Sequence, residues 1–403
     1  KATFATISDL LGASQTVGTL NAAAGAGGGT IVYASDDNSL NTTYFSLASN
    51  GAITTTSTAL TGLTGSGTYT EAFNANAKVQ GSESTKNTLL SGINIIVTKS
   101  PTGGNTINTN DWVSNYRIHV FTSNGTFVLS ENKTVDILLV AGGGSGEGRG
   151  DNSNKASGGG AGGVAYNPNT SASSYSAHSS NYAYDITNSS ITLNSGTYNI
   201  YVGAGGVQGT NGYNSVAGNG QDTYITSSVS GFSADQFKVA GGGYFGQNGG
   251  SGGGGNSQGN PGGKGDAALS GEQGNNGGTS AGGSGGGGGG AGQAGTNTSG
   301  IDGTPGGGGD GRDYSSKFST NVGESGWFAG GGGGARCQGC GGNSLEHASR
   351  GQGGGGGNTS HSSAGTSPVA VINNTGGGGG GMYSNSNVSS DGASGIVIIR
   401  YAV

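Results

Sequence analysis

Long runs of glycine dominate the chain after residue 140, among them 285–290, 306–309, 330–334 and 376–381. Glycine loses more backbone entropy on folding than any other residue, so such runs are usually flexible linkers. Here, however, short apolar segments interrupt the runs, and the apolar segment 396–401 closes the series. The pattern indicates that the glycine runs are built into a fold.

Four apolar segments run directly into glycine, at 135–140, 198–202, 237–240 and 327–329. Collagen is excluded, because it needs glycine at every third position and abundant proline, whereas this chain has consecutive glycines and 5 prolines. Steric-zipper packing depends on interlocking side chains, which the runs lack. The pattern therefore predicts polyglycine II, in which extended helices with three residues per turn bond to neighbours through the backbone. A flexible Gly/Ser spacer is the alternative, and it does not explain the joins.

The composition is typical of secreted and virion-exposed β proteins. Only 30% of the residues are hydrophobic and 9% are charged, while Ser, Thr, Asn and Gly are abundant. The formal net charge of −6 comes without a cluster of Lys or Arg, so we expect no nucleic-acid binding. No stretch of about 18 apolar residues occurs, so we expect no membrane insertion. The sequence begins at Lys1 without signal-peptide features, and we expect a processed product or part of a longer one.

The sequence predicts an all-β fold with two β-sandwiches. Residues 1–100 contain short apolar segments separated by turn signals, which favours a small antiparallel β-sandwich of Ig-like type. Residues 101–111 have the composition of a linker. We expect residues 112–240, completed by 395–403, to form a second sandwich, and residues 241–394 to be inserted into it as a polyglycine-II helix bundle with loops.

Local signals place the predicted strands. In residues 1–100 they fall at 30–33, 44–47, 51–55, 67–73 and 94–98. In the second sandwich, Asn124-Gly125 stands between two apolar segments, and this pair is the strongest local signal for a β-hairpin.

Two resemblances extend this interpretation. The order of Tyr44-Phe-Ser-Leu, Asn50-Gly-Ala-Ile-Thr-Thr, Gly67-Thr-Tyr-Thr and Ile95-Ile-Val-Thr resembles a cadherin-like domain. Of that family's acidic calcium motifs only Asp36-Asp37 lies in a comparable place, and a solvated loop pair is the alternative.

The second resemblance covers about two-thirds of the chain. It rests on the segments 135–144, 202–206, 327–332, 374–381 and 394–401. These segments resemble the glycine-rich domain of phage tail-fibre and appendage proteins, and they are similar in kind to the fibre-tip adhesins of T-even-like phages. The resemblance implies a polyglycine bundle that displays variable loops to a host receptor.

No catalytic constellation is recognisable. His119, His178, His347 and His361 have no Ser/Asp or Cys/His partners in a defensible pattern. Strings such as G-x-G-x-x-G occur by chance in a chain this rich in glycine. We therefore expect no enzyme activity, no catalytic residue, no metal site and no cofactor.

Cys337 and Cys340 form an isolated C-x-x-C motif within a glycine-rich stretch. Two cysteines supply only half of a tetrahedral zinc site, and a redox motif needs a βαβ context. We expect a local disulfide, with free thiols as the alternative.

Tyrosines between the glycine runs and in one Ser/Asn/Ala-rich segment are candidates for receptor contact. Tyrosine offers a large contact area at low entropic cost, although the rings of the Ser/Asn/Ala-rich segment can equally pack on the sandwich. The tyrosines between glycine runs are candidates for loop tips or for a lid over the bundle. The candidates are Tyr166, Tyr175, Tyr182, Tyr184, Tyr244, Tyr314 and Tyr383.

We therefore expect a non-enzymatic structural or adhesive component of an extracellular appendage, a phage tail or head fibre protein at the virion surface. Its partners would be a host receptor or glycan and other virion or filament subunits, with homo-oligomerisation. The alternative is a self-assembling subunit of an extracellular filament with a purely structural role.

Overall fold

The protein is described here by a computed structural model. The described residues are 4, 6–9, 11–22, 29–35, 40–63, 68–81, 88–109, 112–149, 156–167, 190–208, 218–234, 237–255, 262, 273–281, 283–299, 303–336, 348–356, 371–383 and 390–403. The chain divides into two compact units, Lys1–Thr102 with Val128–Asn132, and Gly103–Phe127 with Lys133–Val403. The fold is all-β, as the sequence predicts.

The first unit consists of β-strands and one turn of 3-10 helix in its described residues. The strands are β1 (Ile7–Ser8), β2 (Thr16–Thr19), β3 (Ile31–Ser35), β4 (Phe45–Leu47), β5 (Ala52–Thr55), β6 (Thr68–Val79) and β7 (Thr88–Thr98), and the 3-10 helix is η1 (Leu60–Gly62). They form one sheet with the order β1-β7-β6-β3 and another with the order β2-β5-β4. Each of the five predicted segments overlaps an observed strand. The cadherin-like resemblance itself stays a prediction.

One apolar core holds the first unit together. Alternate residues along β6 and β7 are buried, because successive side chains of a strand point to opposite faces. Phe73 and Ile95 from this sheet pack in the same core as Phe45 and Ile53 from the other sheet. The two sheets therefore bury their apolar faces together.

The described residues of the second unit form the remaining strands and one short helix. They are β8 (Thr106–Thr109), β9 (Tyr116–Phe121), β10 (Gly125–Leu129, to Phe127 in this unit), β11 (Lys133–Val140), β12 (Gly148–Arg149), β13 (Val164–Tyr166), β14 (Ile191–Leu193), β15 (Gly196–Tyr201), β16 (Thr223–Ser227), β17 (Lys238–Val239), β18 (Arg312–Asp313), α1 (Ser315–Phe318), β19 (Trp327–Phe328), β20 (Met382–Tyr383) and β21 (Ile396–Ala402). The four predicted joins are present, since β11, β15, β17 and β19 each lead into glycine-rich backbone.

The main sheet of this unit has the order β13-β11-β21-β9-β8, with β14 also paired to β11. A second sheet has the order β10-β15-β16-β17. Nearly every residue of β11 and β21 is buried, because both faces of these strands are covered. On one face, Leu138 and Ile398 pack in a core with Phe318 of α1 and Phe328 of β19. Residues 106–109, within the stretch predicted as a linker, form strand β8 of the main sheet.

The predicted hairpin between β9 and β10 is wrong, because the two strands lie in different sheets. Neither Asn124 nor Gly125 has the positive φ that a type I′ turn requires. Instead, Asn124 Oδ1 accepts a hydrogen bond of 2.9 Å from the N–H of Val202. The asparagine therefore fixes the chain where it crosses from one sheet to the other.

The glycine runs lie beside one another as segments joined by backbone hydrogen bonds. Segment 141–147 shows how these bonds are arranged, because its successive N–H groups donate hydrogen bonds to three neighbouring segments in turn. Residues 141, 144 and 147 donate to 163, 160 and 157; residues 142 and 145 donate to 221 and 218; residues 143 and 146 donate to 393 and 390. A repeat after three residues is that of an extended helix with three residues per turn, whereas a strand repeats after two. The polyglycine-II prediction requires this periodicity.

The segment 156–163 lies inside this hydrogen-bonded lattice. Its N–H groups donate to 240–243, 286–289 and 376–379, and its carbonyl groups accept from 141–147, 251–254 and 332–335. The sequence predicts that the bundle begins at residue 241. The hydrogen-bonded lattice, however, includes segments that come well before this residue in the sequence. The reason is that short runs of two or three glycines near residues 143, 159 and 205 bond to neighbours as the long runs do.

Candidate receptor-contact surface

Several residues predicted to form the functional site have side chains outside the part that the structure describes. They are Tyr175, Tyr182, Tyr184, Cys337 and Cys340, together with the side chain of Tyr383, whose backbone belongs to β20. The receptor-contact and disulfide roles of these residues stay predictions. Tyr166, Tyr244 and Tyr314 can be placed.

Tyr166 and Tyr314 lie in the core of the second unit. Tyr166 is 2% exposed and Tyr314 is 7% exposed, and their ring centroids are 5.6 Å apart. Tyr166 ends strand β13, and its ring also meets Phe318 at 6.0 Å in an edge-to-face arrangement. Burial, and then the negative charge of Asp136, raise the pKa of the Tyr166 hydroxyl. Both rings therefore pack in the core. For Tyr166 this is the alternative that the sequence left open, whereas Tyr314 was predicted at a loop tip or over the bundle.

A buried ion pair organises this end of the sheet. Arg400 of β21 donates from Nη2 and Nε to Asp136 Oδ2 of β11 over 2.6 and 2.7 Å. Asp136 Oδ1 accepts from Asn167 Nδ2 at 2.8 Å and from Ser190 Oγ at 2.7 Å. Burial alone would raise the pKa of Asp136, but the hydrogen bonds from Ser190, Asn167 and Arg400, with the charge of Arg400, lower it.

The sequence interpretation missed this ion pair, although the sequence contains a signal for it. Asp136 stands alone in Val-Asp-Ile-Leu-Leu-Val, and Arg400 follows Ile-Val-Ile-Ile. A charged residue inside an apolar strand needs a partner, because an unpaired buried charge is very costly. Two such strands in one chain therefore indicate that they pair.

Tyr244 is a predicted contact residue whose side chain stays partly accessible. It is half-buried and follows the glycine segment 241–243. Its N–H donates to Asn219 Oδ1 at 2.9 Å, and its carbonyl accepts from the N–H of Gln247 at 3.0 Å. Gly246 has a φ of +63°, a conformation that glycine adopts without strain. The result is a closed turn whose residues 246–248 are exposed.

Phe245 completes the surface of this turn, and the sequence interpretation missed it. Its ring meets the Tyr244 ring edge-to-face, with centroids 5.0 Å apart, and it is also half-buried. The exposed amides of Gln247 and Asn248 lie in the same turn. We call residues 244–248 the aromatic turn. It combines two rings, which offer apolar and edge contacts, with amide groups that can donate and accept hydrogen bonds.

A second half-buried aromatic pair lies on the sheet that contains β15 and β16. Tyr201 and Tyr224 face each other across these strands, with stacked rings 4.5 Å apart at 17°. Beside them, Lys238 Nζ and Asp222 Oδ2 form an ion pair of 3.0 Å. Because the two rings stack on each other, one face of each ring is covered. Cross-strand aromatic pairs of this kind stabilise sheets.

The backbone lattice and the sheets that it joins define a glycine-rich all-β protein. The chain belongs to the glycine-rich domain family, whose model matches residues 122–402. No curated protein matches the sequence. In the described part of the chain, no helix is both long and apolar enough to span a membrane. Within the same residues, no three His, Cys, Asp or Glu side chains are grouped so that they could hold a metal ion.

Proposed function

We propose that this protein is a non-enzymatic component of an extracellular appendage, a phage tail or head fibre protein that contacts the host surface. The observation that carries the proposal is the packing of segment 156–163, which bonds through its backbone to segments on every side. A lattice held by main-chain groups is rigid and leaves the residues between its segments free to vary. Such a scaffold suits a protein that presents contact residues at the end of a fibre.

The lattice also explains why glycine is required rather than tolerated. A Cβ at Gly159 would lie 2.3 Å from the carbonyl oxygen of Gly144, and one at Gly332 would lie 2.0 Å from that of Gly379. Because these glycine positions have no room for a Cβ, we expect variation to be concentrated in the turns. A constant backbone scaffold with variable turns suits a surface that must bind different receptors.

The aromatic turn is the proposed contact surface among the described residues. Tyr244 and Phe245 provide apolar area on a short turn that is closed by backbone hydrogen bonds. Little entropy is therefore lost when a ligand binds them. The ligand class is a host-surface glycan or protein loop, since rings and amides together serve both.

Labelling of cells tests this proposal. Fluorescent protein is incubated with a panel of bacterial species, and bound fluorescence is measured by flow cytometry. We expect labelling of a subset of species and a several-fold loss for Tyr244→Ala and Phe245→Ala. The matched control is Tyr224→Ala, which removes a half-buried aromatic ring elsewhere in the same unit. The proposal fails if no species is labelled, and the aromatic turn is excluded if the control loses as much binding.

A further inference from the structure

Strand β21 fills a groove that a distant part of the chain builds. It lies between β11 and β9 and is antiparallel to both. The other strands of the main sheet, β8, β9, β11, β13 and β14, all come before residue 194. The paired residues Asp136 and Arg400 are 264 positions apart in sequence. Both strands that flank β21 thus end long before it in sequence.

The contacts of β21 combine backbone pairing with apolar burial. Its register runs from Ile396 opposite Val140 to Arg400 opposite Asp136, and on the other side from Val397 opposite Phe121. Residues 396–399 are buried. The Asp136–Arg400 pair fixes this register, because a slip by one residue would turn Arg400 to the other face of the sheet.

The segment before β21 is also recognised through its backbone. The N–H groups of Gly392 and Gly395 donate to the carbonyls of Gly206 and Gly203, each over 2.8 to 2.9 Å. Ala393 donates to Gly377 in the same way. Residues 390–402 therefore form one continuous segment held by main-chain bonds, apolar side chains and one ion pair.

We propose that residues 390–402 are exchanged between copies of this chain, so that β21 of one copy fills the groove between β9 and β11 of another. The main-chain bonds, the apolar contacts and the ion pair are identical whether the segment comes from the same or a second copy. Addition of a strand to paired edges is an established mode of recognition, and exchange of an identical element creates no new contact. Reciprocal exchange gives a closed dimer, and exchange in one direction links copies into a fibre.

The ion pair permits a direct test by charge complementation. Arg400→Asp places two carboxylates opposite each other within one copy, and Asp136→Arg places two guanidinium groups there. In a mixture of the two variants, exchange in trans restores an opposite-charge pair in both grooves. We expect each variant alone to refold poorly, and the mixture to yield a soluble species of twice the monomer mass by light scattering. The proposal is overturned if the mixture behaves as the sum of its parts while the double variant Asp136→Arg/Arg400→Asp refolds.

A second measurement keeps the test decisive if the variants do not fold. The unmodified chain is refolded with a fluorescent peptide of residues 390–403, and incorporation is measured by size-exclusion chromatography. We expect incorporation of this peptide and several-fold less of the same peptide carrying Arg400→Asp. Equal or absent incorporation of the two peptides overturns the proposal. Neither result depends on receptor contact, so failure here leaves the proposed adhesive function untouched.

Discussion

At the scale of single residues, the cost of replacing a lattice glycine depends on which atoms lie where a Cβ would be placed. A Cβ at Gly288 would lie 1.9 Å from the carbonyl oxygen of Gly159, whereas one at Gly307 would lie 3.2 Å from Ser349 Oγ. We expect Gly288→Ala to lower the free energy of unfolding by about 1–3 kcal/mol, because backbone must move to admit the methyl group. Gly307→Ala meets only a movable hydroxyl and should cost clearly less. Urea unfolding measures both, and equal losses would contradict a lattice closed to side chains.

His119 links stability to pH at the same scale. It is fully buried, with Nδ1 2.6 Å from the carbonyl oxygen of Gly103 and Nε2 3.3 Å from the Tyr401 hydroxyl. Burial lowers the pKa of His119 from 6.5 to about 4, and the charge of Arg117 acts in the same direction. The unfolded chain therefore takes up a proton near pH 6.5, while the folded protein does so only near pH 4.

The effect of His119 on stability should consequently be constant above about pH 7, and stability should fall as the pH drops from 6.5 towards 4, by roughly 3 kcal/mol in all. Asp136, whose pKa is lowered from 3.8, loses its stabilising effect only at still lower pH. Urea unfolding between pH 8 and pH 4 measures the slope. His119→Gln should remove it, and an unchanged slope in this variant would assign the effect to other groups.

At the scale of elements, the sequence predicted the strands whose position depends on the local pattern of apolar residues. Strand β11 and strand β21 are predominantly apolar segments, each with one charged residue in its apolar part, and both were placed within two residues of their observed bounds. The hairpin at Asn124-Gly125 failed because β9 pairs on one side with β8, the strand before it, and on the other side with β21, which is remote in sequence. Strand β18 and helix α1 were not predicted, since two- to four-residue segments carry no measurable period, whereas β19 lies in the predicted apolar segment 327–329.

The edge segment 292–299 offers a test of the three-residue period. Gly295 and Thr298 donate their N–H groups to Asn276 and Thr279, and Thr296 donates to Gly307. Within the described part of the chain, the N–H groups of Ala294 and Asn297 have no backbone partner. We expect slow hydrogen exchange at residues 295, 296 and 298 and fast exchange at 294 and 297, measured by NMR. Alternation with a period of two would indicate an ordinary β-strand instead.

At the scale of the whole molecule, the candidate site was harder to predict than the fold. A tyrosine is amphipathic, so its sequence neighbours do not reveal which side of a sheet it joins. Tyr166 is buried because β13 pairs with β11 and because Tyr314 and Phe318 arrive from far along the chain. Tyr244 stays partly accessible because it lies in a turn whose residues 246–248 are exposed. Whether a tyrosine of this chain is buried or accessible therefore depends on contacts with segments that are remote in sequence.

The heat capacity of unfolding reflects the same architecture. Apolar surface exposed on unfolding raises the heat capacity, whereas exposed peptide groups lower it, and ordinary proteins average about 12–15 cal/mol/K per residue. Here 30% of the residues are hydrophobic, and the lattice buries peptide groups against peptide groups. We therefore expect scanning calorimetry to give a value per residue clearly below that range, with a β-sandwich protein of ordinary composition as the control. A value within the usual range would mean that side-chain burial, and not the backbone lattice, dominates the folded state.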